Sequence, residues 1–155
     1  MALQRLLNLT DYERMLGHEP PLRKYDLSRM LQLVERVGNP HRCAPVIHIG
    51  GTKGKGSVAA MITSILKASA YRVGLYTSPH LHTFRERIRI DACPLSETQF
   101  ASLVEYLWPH IEDMNSKFTH SSVTTFELLT AMAFTQFQRS SVQVQVLEVG
   151  LGGRL

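Results

Sequence analysis

The chain has 155 residues, 44% of them hydrophobic and 19% charged, enough for one domain with its own core and too balanced for a disordered segment. Its formal net charge of +4 arises from 17 Lys and Arg against 13 Asp and Glu without any cluster of five basic residues, which suits anionic small molecules and argues against nucleic acid. Arg5, Asp11, Glu13 and Arg14 interrupt the N-terminal apolar stretch, no other run is long enough for a membrane span, and Cys43 and Cys93 lack zinc or redox spacing, so a cytoplasmic protein with reduced thiols is expected.

The first clear helix is predicted from about Leu27 to Val37, where Met30, Leu31, Val34 and Val37 recur at helical spacing. Asp26 is placed to cap its start, and Gly38-Asn39-Pro40 ends it. Pro45 to Ile49 reads as a buried strand running into a glycine cluster. From Gly56 to about Ala70 the chain is rich in helix formers, with Val58, Met61, Ile62 and Ile65 on one face. A second short strand follows from Arg72 to Thr77, completing a βαβ unit whose crossover should be right-handed. Glu86 to Asp91 alternates as a half-exposed strand does, and Ser96-Glu97-Thr98-Gln99 is a capping box ahead of a helix to about Met114. Thr124-Thr125-Phe126-Glu127 repeats that signal before a helix ending near Arg139. Val142 to Val149 alternates, turns apolar and breaks at Gly150-Leu151-Gly152-Gly153. The fold class is therefore α/β with a mostly parallel sheet built around a phosphate-loop βαβ unit.

Between the first strand and the second helix lie Gly50, Gly51, Thr52, Lys53, Gly54, Lys55, Gly56 and Ser57. Glycines there let backbone N–H groups approach phosphate oxygens, Lys55 supplies a point charge for the β- and γ-phosphates, and Ser57 opens the helix and can help cap it. The pattern departs from the strict phosphate-loop motif, since Ile49 takes the first glycine position and Gly56 separates Lys55 from Ser57. The competing reading is a flexible surface turn with two lysines; the strand and helix on either side favour phosphate.

Ser78 follows the second strand at a carboxyl end, where ligand sites of open α/β sheets gather. Its hydroxyl suits a magnesium ion or belongs to an ordinary Ser-Pro turn. Glu148 is the only acidic residue between Val142 and Val149 and falls where a buried strand meets a glycine turn. An unpaired carboxylate there is costly, so a cation or an arginine such as Arg154 is expected beside it. His48 reads as a core histidine, His80 and His82 lie near the presumed metal without a catalytic role, and Glu127 serves equally as a helix cap or a site residue.

The run Gly-Thr-Lys-Gly-Lys-Gly-Ser after Val46-Ile47-His48-Ile49-Gly50 resembles the loop of folylpolyglutamate and dihydrofolate synthases, relatives of the Mur ligases. The resemblance continues in Tyr76-Thr77-Ser78-Pro79-His80-Leu81, in Glu86-Arg87-Ile88-Arg89-Ile90, in Thr124-x-Phe126-Glu127-x-x-Thr130 and in Leu147-Glu148-Val149-Gly150-Leu151-Gly152-Gly153-Arg154-Leu155. These blocks stand in the family's order from about Tyr25 to Leu155.

That resemblance implies ATP and Mg2+ as cofactors, with Gly51 through Ser57 binding ATP, Lys55 acting on the transferring phosphate, and Ser78 and Glu148 as magnesium ligands. It implies a folate or dihydropteroate pocket lined by Asp26, Leu27, Thr124, Phe126 and Leu155. The activity implied is ATP-dependent addition of glutamate to a folate or dihydropteroate carboxylate through an acyl phosphate. The chain would then be the N-terminal part of a Mur-ligase-like ATP-binding domain over residues 1–155, without the Rossmann-like C-terminal domain that holds the amino acid. The rivals are a fragment of a Mur-type amino-acid ligase and a nucleotide-binding module without catalysis.

Overall fold

The protein is described here by a computed structural model covering residues 2–11, 27–117 and 122–150. Among the described residues five short strands form one sheet: β1 (Val46–Ile49), β2 (Val73–Tyr76), β3 (Ile88–Ile90), β4 (Cys93–Pro94) and β5 (Val144–Glu148), in the order β1-β5-β2-β3-β4. β5 runs parallel to both β1 and β2, while β3 and β4 add an antiparallel margin. The parallel strands end together: Ile49 stands beside Glu148, and Tyr76 beside Leu147. The predicted βαβ unit is present with β5 inserted between its two strands, so the loops after β1, β5 and β2 meet at one sheet edge.

Among the described residues there are five α-helices, α1 (Ala2–Leu7), α2 (Ser28–Arg36), α3 (Lys55–Ala68), α4 (Glu97–Lys117) and α5 (Thr125–Arg139); α3 and α5 pack on the sheet, and α1, α2 and α4 pack against α5. Along β2 the pleat alternates, with Val73 and Leu75 joining the α3 side and Tyr76 the larger core on the α5 side. Gly74 also faces α5, because the Phe137 ring lies where any Cβ would go. That larger core packs Leu103, Leu107, Leu128, Leu129 and Phe137 without solvent exposure. Both predicted capping boxes that precede long helices form: Gln99 N–H donates to Ser96 Oγ and Ser96 N–H to Gln99 Oε1, and Thr124 and Glu127 exchange the same pair of bonds.

Several expectations fail for identifiable reasons. β1 is an edge strand, so Val46 is 46% exposed and His48 is exposed instead of buried in a core. The face of α3 carrying Val58, Met61 and Ile65 points outward, at 41%, 57% and 65% exposure; the helix meets the sheet through Ala59 and Thr63, with Ile62 and Leu66 partly buried. A helix apolar on more than one side does not disclose by periodicity which side is covered. Glu86 and Arg87, read as strand, belong to a 3-10 turn over Phe84–Arg87 ahead of the shorter β3. Leu27 occupies the N-cap of α2 without a side-chain bond, and Asp26 lies outside the described residues.

Candidate functional site

The loop after β1 turns into α3 through two glycines with positive φ, Gly51 at 143° and Gly54 at 76°, conformations costly for any residue with a Cβ. Gly54 is the N-cap of α3 and its carbonyl accepts from Val58 N–H at 3.0 Å. Ser57, expected to help cap the helix, is exposed in the first turn and caps nothing, since Lys55 already stands inside the helix. The Lys55 ammonium donates to the Gly51 carbonyl at 3.0 Å, folding the side chain back over the loop. Thr52 and Lys53 are exposed at the tip. The N-terminus of α3 thus presents free N–H groups and the positive end of the helix dipole beside a lysine, an arrangement that attracts phosphate.

Ser78, on the loop after β2, and Glu148, at the end of β5, are seventy residues apart in sequence and come together: the Ser78 N–H donates to Glu148 Oε2 at 3.1 Å. Glu148 is only 8% exposed. A Cβ built on Gly56 would stand 3.5 Å from the same oxygen, so the carboxylate lies directly beside the first turn of α3. Among the described residues no cation pairs with Glu148, and Arg154, the alternative partner, lies outside them. Gly56, Ser57, Ser78, His80, Glu86 and Glu148 all line one open cleft of about 390 Å3. No group of three His, Cys, Asp or Glu side chains is close enough to cage a metal among the described residues. A buried carboxylate and a hydroxyl beside a phosphate-type loop nevertheless fit magnesium, which takes one or two protein oxygens and completes its shell with water and substrate phosphates.

Of the residues expected to line a pteroate pocket, Asp26 and Leu155 lie outside the described residues. Leu27 is 55% exposed at the start of α2. Thr124 is buried as the N-cap of α5, its hydroxyl donating to Glu127 Oε2 at 2.9 Å and accepting from Glu127 N–H at 3.2 Å. The Phe126 ring lies 6.1 Å from the Tyr76 ring and against Gly150, where an added Cβ would stand 2.7 Å from it. Phe126 therefore touches the segments that carry Ser78 and Glu148.

Sequence reasoning missed the partner of Glu127. Arg29 of α2, 5% exposed, donates from Nε to Glu127 Oε1 at 3.0 Å, so the cap of α5 is also half of a buried ion pair. The available signal was Arg29's place four residues before the buried Leu33, on the inward face of an amphipathic helix. Glu86 and Arg87, read as strand and as part of a sequence block, instead hold the loop that follows Ser78 by side-chain bonds.

No protein-family profile matches this chain. The dihydrofolate synthase/folylpolyglutamate synthase of Bacillus subtilis strain 168 is 40% identical over 132 residues, covering 84% of this chain and 30% of that protein. The crystal structure of folylpolyglutamate synthase from Thermotoga maritima superposes with a TM-score of 0.85 at 43% identity, covering 99% of this chain and 33% of that one. A structure described as a folylpolyglutamate synthase complex with AMPPCP and folate superposes at 0.83 with 36% identity, covering 97% and 35%. The chain spans about a third of the length of the curated relatives it matches.

Proposed function

We propose that this chain, which belongs to the folylpolyglutamate/dihydrofolate synthase family over the N-terminal portion it spans, forms the nucleotide-binding front of an ATP-dependent ligase. The observation that carries the reading is the meeting of three elements at one sheet edge: the Gly51–Ser57 loop at the start of α3, Ser78 after β2, and Glu148 at the end of β5. The relatives include a complex with AMPPCP, a nonhydrolysable analogue of ATP, and with folate.

In this reading the amides of residues 51–57 hold the β- and γ-phosphate oxygens, and Lys55 leaves the Gly51 carbonyl to spread the charge of the transferring phosphoryl group. Ser78 Oγ and the Glu148 carboxylate would hold Mg2+, which when bound neutralises charge on the phosphates. A substrate carboxylate oxygen attacks the γ-phosphorus and ADP leaves; an amine then attacks the acyl carbon and phosphate leaves. No side-chain nucleophile is needed in either step. The carboxylate belongs to a folate or dihydropteroate lodged near Phe126, with Asp26, Leu27, Thr124 and Leu155 as its further lining, and the amine belongs to glutamate. Glutamate is held by a Rossmann-like C-terminal domain outside these 155 residues. The compartment is the cytoplasm; no described helix is long and apolar enough to cross a membrane.

A second reading is a nucleotide-binding module without catalysis, which uses the same phosphate loop and the same Ser78–Glu148 pair. Calorimetric titration of Mg·ADP into the wild type and Lys55→Ala tests the shared core of both. Binding by the wild type and a loss of at least about tenfold in the variant is expected; equal affinities would remove the assignment.

A further inference from the structure

The loop from Thr77 to Thr83 joins β2 to the 3-10 turn Phe84–Arg87 without regular secondary structure of its own. Such a segment is mobile unless its backbone groups are tied down. Here they are tied from the turn that follows. The Glu86 carboxylate accepts from the N–H groups of Leu81, His82 and Thr83 at 3.1, 3.4 and 3.1 Å. Arg87 Nε donates to His80 Nδ1 at 3.0 Å, and the Arg87 carbonyl accepts from Thr77 N–H at 3.0 Å. The platform is rigid, since Phe84 and Arg87 are 7% and 2% exposed and the Phe84 ring lies 4.2 Å from that of His80.

Capping the turn would require only the Thr83 amide, which forms a capping box with Glu86. The Leu81 and His82 amides lie upstream of the cap and belong to the loop itself. Leu81 is 87% exposed, so its side chain contributes little packing to hold the loop in place. Partial burial pushes the Glu86 carboxyl up, and donation from the three amides together with the His82 charge more than reverses this, keeping it below the ordinary glutamate range.

We propose that Glu86 is a positioning residue, assisted by Arg87: by collecting the Leu81–Thr83 amides it fixes the loop that presents the Ser78 hydroxyl beside Glu148, so that metal and phosphate meet a preformed pair. The proposal rests on the magnesium–nucleotide reading of Ser78 and Glu148 and assigns a task to a sequence block that reading leaves unused. Glu86 lines the same cleft, and its carboxylate oxygens are engaged by the loop amides.

The test uses the 155-residue chain, with Glu86→Gln compared to wild type by amide hydrogen exchange and by ADP titration in Mg2+ and in EDTA. Exchange at Leu81, His82 and Thr83 should quicken at least about tenfold in the variant, while β2 and β5 amides exchange as before. The Mg2+-dependent gain in ADP affinity should shrink at least about threefold, with affinity in EDTA held within about twofold. Unchanged loop exchange overturns the tether. Loosened exchange with an unchanged Mg2+ gain, or an equal loss in Mg2+ and in EDTA, overturns the positioning role. If Glu86→Gln does not fold, Glu86→Asp, which keeps the charge and withdraws it by one methylene, carries the same expectations. A wild type that binds no ADP in either condition removes the nucleotide reading and the positioning role with it, while exchange alone still decides whether Glu86 holds the loop.

Discussion

Gly74→Ala should strike the sheet where it supports the site. Gly74 is buried in β2, paired with Gln145 of β5 and Ile90 of β3, so its backbone has no freedom to retreat. A Cβ there would stand 2.4 Å from Phe137 Cδ1 and 2.7 Å from Cγ and Cε1. Carbon atoms at rest lie about 3.5–4.0 Å apart, so roughly 1 Å of separation must be created against a ring with no solvent exposure. Overpacking of this kind costs about 1–3 kcal/mol, and the rigidity on both sides argues for the upper end. Replacing glycine in a strand returns about 0.5–1 kcal/mol, leaving a net loss near 2 kcal/mol. In a domain of this size the melting temperature should fall by about 4–8 °C. Phe137→Leu, which opens space at the same point, should cost roughly 1–2 kcal/mol alone. The double variant should be more stable than the sum of the two losses by about 1 kcal/mol or more. Denaturant melts of the four proteins settle the matter. A Gly74→Ala loss below about 0.5 kcal/mol, or strict additivity, would refute the claim that the two residues compete for one space.

Other outcomes follow from the same geometry. Arg29→Met leaves the Glu127 carboxylate buried without its ion-pair partner and should cost about 3–5 kcal/mol in denaturant melts, whereas substituting both residues by apolar ones should recover part of that loss. Burial, with the Arg42 charge second, holds the His41 imidazole below the usual histidine range. Its contribution to stability is therefore complete above the unfolded value near about pH 6.5 and is lost as pH falls through the lower folded value; His41→Gln should flatten the fall in melting temperature from about pH 7 to pH 5. The 155 residues alone, even with ATP bound, should not join glutamate to a pteroate or folate in a mass-spectrometric assay. Holding carboxylate, phosphate and amine together contributes about 7–11 kcal/mol, and in the proposed reading the amine site lies elsewhere.

The elements around the candidate site were largely legible because their signals are local. The Gly51–Gly54 turn, the box at Thr124 and Glu127, and the break after Glu148 each follow from the residue types at those positions. Strand order was not legible: nothing in Val144–Glu148 says that β5 inserts between β1 and β2, and only that insertion brings Glu148 to Ser78 and Gly56. The same gap explains His48, which an apolar run suggested was buried and which edge position exposes. Gln145, on the alternating strand, is fully buried and donates to the His41 and Ala44 carbonyls, backbone partners that residue type does not disclose. Glu86 eluded the reading because its three amide partners are backbone groups, which leave no trace in residue identity.

The central claim is that phosphate and metal meet at the edge formed by the loops after β1, β2 and β5. It is tested most directly by following the backbone amide resonances of the chain as Mg·AMPPCP is added. The account predicts the largest shifts at Gly51 through Ser57, with Ser78 and Glu148 moving only when Mg2+ accompanies the nucleotide. Saturable shifts confined to other surfaces, or movement of Ser78 and Glu148 that is indifferent to Mg2+, would contradict it.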